Sequence, residues 1–136
     1  MKAIGSLIRL SNFQVEELQK RLSVIVDGRT QQEVKMAVLE AEAEMELANA
    51  RANAEAGWYM VGFREGLKVR RKAIQDQIDS FIAQEEGARD ALNEAYEGLK
   101  KYEQVASNVA QAARREENRR ETAALDELGL RRVAAR

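Results

Sequence analysis

The stretch "EAGWYMVGFREGLKVRR" (residues 55–71) differs in composition from the rest of the chain, and it decides how the chain folds. It holds three of the seven aromatic residues and three of the eight glycines. The segments on both sides of it are long, charged and rich in alanine. Glycine is favoured just past the end of a helix, so glycines clustered between two helical segments predict a reversal of the chain.

Apolar residues recur every three or four positions on both sides of this stretch. On the N-terminal side, eleven of sixteen such positions between residues 1 and 53 are apolar, and on the C-terminal side ten of eleven between residues 74 and 109. A spacing of 3.5 residues sustained over several turns is typical of a coiled coil. After Leu39 fewer positions of this spacing are apolar. A shift of the row by one residue, to Leu47, Ala50 and Ala54, restores the apolar pattern. Such a shift corresponds to a four-residue insertion in the heptads, a stutter, which we therefore predict here.

The sequence therefore predicts an all-α fold, a long antiparallel two-helix coiled-coil hairpin forming one domain over residues 1–136. The first arm is expected at about 4–56, the turn at about 57–66 and the second arm at about 67–130. An alternative starts from Gly28 and the capping-box pattern of Thr30 and Glu33, which could break the first arm and give a compact bundle of shorter helices. We favour the unbroken arm, because one glycine inside a helix costs only about 1 kcal/mol.

Composition argues against most kinds of active site. The chain has no histidine and no cysteine, which excludes the usual zinc sites, disulfides, a histidine base and a cysteine nucleophile. No phosphate-binding loop of the Walker type is present. Carboxylates are abundant, but a thin hairpin encloses no cleft in which they could act as acid and base. We therefore expect a non-enzymatic protein with no cofactor and no metal.

Charge and hydropathy bear on the compartment and on the partners. The net charge of −1 gives no general attraction to nucleic acid or to anionic lipid. No apolar run approaches the roughly 18 residues that a membrane-spanning helix needs, and the N-terminus lacks the features of a signal peptide. The sequence predicts a soluble cytoplasmic protein that does not insert into a membrane and does not bind nucleic acid.

Two groups of residues are candidates for binding partners. The turn of a two-helix hairpin has little interior, so we expect at least two of its four large apolar residues to be exposed, where aromatic residues near arginine are typical of binding hot spots. These four are Trp58, Tyr59, Phe63 and Leu67. The second group is the cation-rich segment "RREENRR" (114–120), with Arg114, Arg115, Arg119 and Arg120.

The distribution of charge gives a further expectation. In a hairpin that turns near residue 62, residues 40–46 would lie opposite residues 78–84. Residues 40–46 carry four glutamates and residues 78–84 carry Asp79, so we expect them to form an acidic belt together. Cations at 64–72 would form a basic collar beside the turn. Acidic and basic regions that alternate along a surface can determine which partner binds and in which alignment.

The opening segment "SLIRLSNFQVEELQKRL" (6–22) and the spacing of Tyr59, Phe63 and Leu67 resemble the flagellar type III export protein FliJ family. The resemblance implies a stalk in the ring of the export ATPase, with contacts to the export gate membrane protein FlhA and to export chaperones. It implies a monomer, peripheral at the cytoplasmic face of the inner membrane. Residues 1–25 and 105–136 would lie in the ring, and Phe63 and Leu67 would lie toward the gate. Unlike the family pattern, residues 31–50 contain no aromatic.

Two other functions remain open from the residues alone. One is a structural coiled-coil adaptor that homo-oligomerises along its length. The other is a nucleic-acid-binding hairpin that uses residues 114–120, which Glu116 and Glu117 disfavour because they interrupt the cations.

Overall fold

The computed structural model describes residues 2–135, except for the side chains of residues 54–56. Helix α1 runs over Lys2–Ala52, a short 3₁₀ helix over Ala54–Tyr59 and helix α2 over Met60–Ala134. No strand is present in this described range. The predicted all-α fold of two long helices is confirmed.

Helix α1 continues through Gly28 without a break. The Thr30 hydroxyl donates to the Val26 carbonyl at 3.0 Å, a bond made inside a continuing helix rather than at a helix start. The capping-box interpretation of this segment, and the bundle of shorter helices that it would produce, are therefore wrong.

The chain divides by its contacts into two units. One is Glu16–Asn93, here the central unit, and the other joins the chain up to Val15 with the chain from Glu94 onward, here the terminal unit. In the central unit the two helices run antiparallel, since Arg29 pairs with Glu85 and Glu40 with Arg71. The sequence predicts a single domain over residues 1–136, and this stays a prediction.

The helices meet along a seam, meaning the row of positions where one helix faces the other. The predicted positions from Ile4 to Ala50 on α1 and from Ile74 to Val109 on α2 are all buried or half-buried. Ala43 is only 2% exposed, and beyond it Glu46 and Leu47 are both half-buried. This burial fits the continued phase and the shifted phase alike, so the stutter stays a prediction. In the part of the chain that the structure describes, the buried apolar residues are few: Val15, Leu39, Ala43, Leu67, Ile78, Ala88 and Leu99.

The link between the helices lies earlier than the predicted turn at 57–66. Helix α1 ends at Ala52 and α2 begins at Met60, so residues 60–66 are helical. This earlier link sets a different register, in which Glu40 faces Arg71. The expected acidic belt of 40–46 against 78–84 is therefore wrong, because the acidic part of α1 lies beside the basic part of α2.

Two interactions in the middle of the central unit depend on this register. A Cβ atom added at Gly28 would lie 2.6 Å from Cε1 of Phe81, so the aromatic ring occupies the space that a side chain would fill. One residue later, Arg29 Nε donates to Glu85 Oε2 at 2.8 Å. Glu85 also accepts from Arg89 at 2.7 Å, and Arg29 donates to Glu33 at 2.9 Å.

In the terminal unit, α2 extends far beyond its last half-buried apolar residue, Val109. Residues 110–134 are helical, and Glu116 alone among them is not exposed. We call residues 110–134 the extension. Among the described residues, no helix is long and apolar enough to cross a membrane.

Replacing Gly28 tests the contact with Phe81. Alanine normally stabilises a helix by roughly 0.5–1 kcal/mol over glycine, but at Gly28 it would displace the ring, and overpacking typically costs about 1–3 kcal/mol. We expect Gly28→Ala to lower the free energy of unfolding. The control is Gly87→Ala, where a Cβ meets nothing within 4 Å and stability should rise. Chemical denaturation measures both variants. Equal stabilisation by the two would contradict the contact, and Phe81→Leu should make Gly28→Ala favourable.

The ion pairs of Glu85 predict a dependence on pH. Hydrogen bonds from Arg89 and Arg29 lower the pKa of Glu85 below its ordinary value of 4.5, against the opposing effect of burial. A carboxylate with a lowered folded-state pKa stabilises the fold at higher pH, and that contribution is lost as pH falls through the folded-state pKa.

Glu85→Gln should therefore be less stable than the wild type at pH 7, and the difference should shrink as the pH is lowered below 4.5. The control, Glu65→Gln, removes a carboxylate that is 67% exposed and should change little at any pH. Denaturation at several pH values is the measurement. A difference for Glu85→Gln that does not vary with pH would contradict the role of the ionised carboxylate.

Candidate functional site: a groove between the helices

A groove lies between α1 and α2 in the part of the central unit nearest the link. Its apolar surface comes from the cluster of Leu39, Ala43 and Leu67, against which Phe63 packs. Three charged side chains, Glu42, Glu46 and Arg70, complete its lining.

The heptad spacing explains why the groove forms here. Leu39, Ala43 and Leu67 occupy consecutive seam positions of the two helices and are at most 7% exposed. Phe63 lies one helical turn before Leu67 and is half-buried. Phe63 lines the groove, so part of its ring is accessible from it.

Charge is distributed unequally across the groove. Its α1 side carries Glu42 and Glu46, and its α2 side carries Arg70. The Tyr59 hydroxyl donates to Glu46 Oε2 at 3.4 Å, which connects the link to α1. Arg70 Nε donates to the Gly66 carbonyl at 3.4 Å. An apolar surface with acidic side chains on one wall and an arginine on the other fits an amphipathic helical segment better than a small molecule.

A bidentate ion pair holds the helices together beside the groove. Arg71 donates from Nε and Nη2 to the two oxygens of Glu40, at 2.5 and 2.7 Å. These hydrogen bonds lower the pKa of Glu40 and raise the pKa of Arg71. The pair fixes the planar guanidinium against one carboxylate and so fixes the register of α1 on α2 at this level.

Trp58 stands at the link beside this region and is 86% exposed. Its ring meets that of Tyr59 edge to face, with centroids 6.0 Å apart and an angle of 82° between the planes. An edge-to-face pair is a favourable aromatic geometry. The Tyr59 hydroxyl is bound to Glu46, so the Tyr59 ring that contacts the indole is held in place. Most of the surface of the indole faces solvent.

The structure separates the four candidate residues of the predicted turn. Trp58 is exposed, Tyr59 and Phe63 are half-buried, and Leu67 is 4% exposed. The expectation that at least two would be exposed is wrong, because α2 begins at Met60 and the seam continues up to Phe63. Leu67 belongs to the core, so any effect of it on binding would pass through the groove that it supports.

The four candidate arginines lie on the extension, in the terminal unit. Arg119 and Arg120 donate to Glu116 at 2.8 and 3.3 Å, and the bonds from Arg119 first, then Arg120, lower the pKa of Glu116. Arg114 and Arg115 are exposed and form no ion pair within the described chain. Half of the cation cluster is thus available to an external anion.

Sequence analysis missed Leu39, Glu42, Ala43, Glu46 and Arg70 as parts of a site. The predicted seam includes Leu39, Ala43 and Glu46 but gives them no role in binding. With the turn placed at residue 62, α1 residues 39–46 were matched with a distant part of α2. The correct position of the link would have brought them beside Phe63 and Leu67. No group of acidic residues that could hold a metal occurs in residues 2–135 as described.

Comparison with known proteins gives a consistent result. The family model described as "Flagellar FliJ protein" matches residues 1–136. Two curated relatives, both named flagellar FliJ protein, come from the NA1000 / CB15N and ATCC 19089 / CB 15 strains of Caulobacter vibrioides. Each is 50% identical over 133 residues, which cover 98% of this chain and 96% of the relative. No solved structure matches. The chain therefore belongs to the flagellar FliJ protein family.

Proposed function

We propose that this chain is a non-enzymatic component of the flagellar type III export apparatus that docks through its extension and through its groove. Membership of the family supports a flagellar export component. In this proposal the extension, with residues 1–25, is the stalk of the export ATPase ring. The groove contacts the export gate protein FlhA and export chaperones. Docking on the gate places the protein at the cytoplasmic face of the inner membrane.

The exposed extension is the observation that carries the proposal. It continues α2 as a helix for about 25 residues, which corresponds to roughly 38 Å. Four large apolar residues on it are more than half exposed: Leu125 (68%), Leu128 (54%), Leu130 (71%) and Val133 (72%). Helices in proteins depend mainly on the packing of an apolar face for their stability. A helix whose apolar side chains are all exposed therefore gains no stability from packing. A partner that surrounds the extension would supply the missing contacts.

The arginines give the extension a second means of binding. Arg114 and Arg115 have no carboxylate partner among the described residues, so they can pair with acidic side chains of a surrounding ring. A ring that binds the extension on several sides requires one copy of the chain at its centre, which agrees with a monomer.

The groove supports the second contact of the proposal. Trp58 presents a large exposed aromatic surface, and the accessible part of Phe63 lies in the groove on a rigid apolar floor. Exposed aromatic residues on a rigid support are typical hot spots, since little entropy is lost when a partner covers them. A helical segment of a partner, with its apolar side on Phe63 and its polar side toward Glu42, Glu46 and Arg70, satisfies both parts of the groove.

A structural adaptor that homo-oligomerises is the second candidate function. The same exposed leucines favour it, because a second copy could cover them. Sedimentation at increasing concentration separates the two, since the stalk requires a monomer and the adaptor a concentration-dependent assembly.

Removal of the end of the extension tests the stalk. A chain that ends after Asn118 should keep the unfolding free energy of the full chain within about 0.5 kcal/mol, because residues 119–135 are all exposed. It should lose the ability to stimulate the purified export ATPase. As a matched pair within the full chain, Leu125→Glu with Leu128→Glu should lose stimulation, and Glu121→Gln with Asp126→Asn should keep it. Full stimulation by the shortened chain would contradict the stalk role.

Substitution at the link tests the groove. Trp58→Ala should leave the melting temperature unchanged and weaken binding to the purified cytoplasmic domain of the gate by tenfold or more, which corresponds to about 1.4 kcal/mol. Leu67→Ala is the structural control, because loss of a buried leucine costs about 2–4 kcal/mol in the free energy of unfolding. Calorimetry measures stability and titration measures binding. Unchanged affinity in Trp58→Ala would show that the exposed indole takes no part in this contact.

A further inference from the structure

A second groove between the helices lies across the seam from the groove that holds Phe63. At 3.6 residues per turn, Glu42 and Leu47 lie on opposite sides of Ala43 on α1. Glu42 lines the groove of Phe63, and Leu47 lines the second groove. We call the second one the basic groove, because two leucines and four cations line it: Leu47, Leu67, Arg51, Arg64, Lys68 and Arg71.

The basic groove has an apolar floor between cationic walls. Leu67 is 4% exposed and Leu47 is half-buried, whereas the side chains of Arg51, Arg64 and Lys68 are exposed. None of the described carboxylates lines it. The groove on the other side of the seam has the opposite balance of charge, with two glutamates and one arginine. The two sides of the central unit would therefore attract partners of different charge.

Two of the four cations already have a carboxylate partner. Arg71 is bound to both oxygens of Glu40. Lys68 Nζ lies 3.5 Å from Glu65 Oε1, and the two side chains are 72% and 67% exposed. An ion pair as exposed as this contributes little, so Lys68 can exchange Glu65 for another carboxylate. The charge of Arg71 is therefore neutralised within the chain, whereas that of Lys68 remains available.

The other two cations, Arg51 and Arg64, form no ion pair with the described residues. Arg51 belongs to α1 and Arg64 to α2, so two unpaired guanidinium groups lie on opposite walls of one groove. Glu44, about one turn before Leu47 on α1, does not line this groove. Guanidinium groups form strong, charge-assisted hydrogen bonds with carboxylates. The basic groove therefore selects a partner that brings carboxylates of its own.

We propose that the basic groove is a docking surface for an acidic amphipathic helix of a partner protein. Apolar side chains of this helix would cover Leu47 and Leu67, and its carboxylates would pair with Arg51, Arg64 and Lys68. In coiled coils, charges that flank the apolar row pair with opposite charges on the neighbouring helix, and the docked helix would be the third of a bundle. The basic groove shares only Leu67 with the groove proposed for the export gate, so it is a further docking surface.

The shape of the basic groove favours a protein helix over other anions. Its wall on α2 covers residues 64–71, or roughly 10 Å of helix, which matches about two turns of a partner. An inorganic anion could pair with the arginines but would leave the floor of Leu47 and Leu67 uncovered. A flat anionic membrane would contact the outward faces of the two helices rather than the floor between them. An amphipathic helix covers the floor and pairs with the cations at the same time.

Two synthetic peptides of about two heptads each test the proposal. Both have leucine in the heptad row; the acidic peptide has glutamate at every flanking position and the control peptide has lysine. Fluorescence anisotropy measures their binding to the full chain. The acidic peptide should bind, the control peptide should bind at least tenfold more weakly, and added salt should weaken binding of the acidic peptide.

Variants of the chain decide where the acidic peptide binds. Arg51→Gln with Arg64→Gln should weaken its binding at least tenfold and reduce the dependence on salt. The matched control, Arg114→Gln with Arg115→Gln, removes the same charge at two exposed arginines of the extension and should leave binding unchanged. Leu47→Ala keeps every charge and should also weaken binding, because it removes part of the apolar floor. Circular dichroism and the melting temperature show that each variant is folded.

Three results with the peptides would overturn the proposal. The first is no binding of the acidic peptide to the wild type. The second is equal weakening by the two pairs of arginine substitutions, which would show a general attraction to cations. The third is undiminished binding to Leu47→Ala, which would show that charge alone holds the peptide.

Two further results would identify a different occupant and so overturn the proposal. One is binding to phosphatidylglycerol vesicles that Arg51→Gln with Arg64→Gln abolishes, without binding of the acidic peptide, which would identify a membrane surface. The other is a concentration-dependent dimer in sedimentation that the same two substitutions abolish, which would identify a second copy of the chain.

Discussion

The narrow seam between α1 and α2 is the constraint on which the rest of the structure depends. Among the described residues, seven apolar ones are buried and no large side chain is completely buried. Each layer of the seam therefore contributes modestly, and stability requires that the layers remain in phase. A shift of register would separate Phe81 from Gly28, Glu85 from Arg29 and Arg71 from Glu40 together. These contacts make the register specific, whereas the small apolar layers alone would tolerate several alignments.

The register also positions the candidate site. Because Glu40 is paired with Arg71, Ala43 lies next to Leu67, and the groove forms in front of them. The ring of Phe63 then rests on the last apolar cluster before the link. Trp58 and Tyr59 follow in the 3₁₀ helix, where the Tyr59 hydroxyl reaches Glu46. The groove is therefore a continuation of the core, and its floor and its stability come from the same residues.

The heptad pattern was sufficient to predict the helices and the seam, because burial along a two-helix contact follows the 3.5-residue spacing directly. The position of the link could not be predicted in the same way. Gly57, Gly62 and Gly66 all suggested a turn, yet Gly62 and Gly66 lie inside α2. No described glycine has a positive φ, so the reversal does not use the conformation that favours glycine. The walls of the groove were missed for this reason, since Glu42, Glu46 and Arg70 meet only in the correct register.

The register between residues 40 and 71 is the most direct test of this account. The chain has no cysteine, so a pair of introduced cysteines can be crosslinked without interference. Glu40→Cys with Arg71→Cys should form a crosslink within one chain at high dilution with a short bifunctional reagent. Glu40→Cys with Gln84→Cys, the pairing expected for a turn near residue 62, should not. Efficient crosslinking of 40 to 84, or crosslinks of 40 to 71 formed only between chains, would contradict the hairpin and the groove that depends on it.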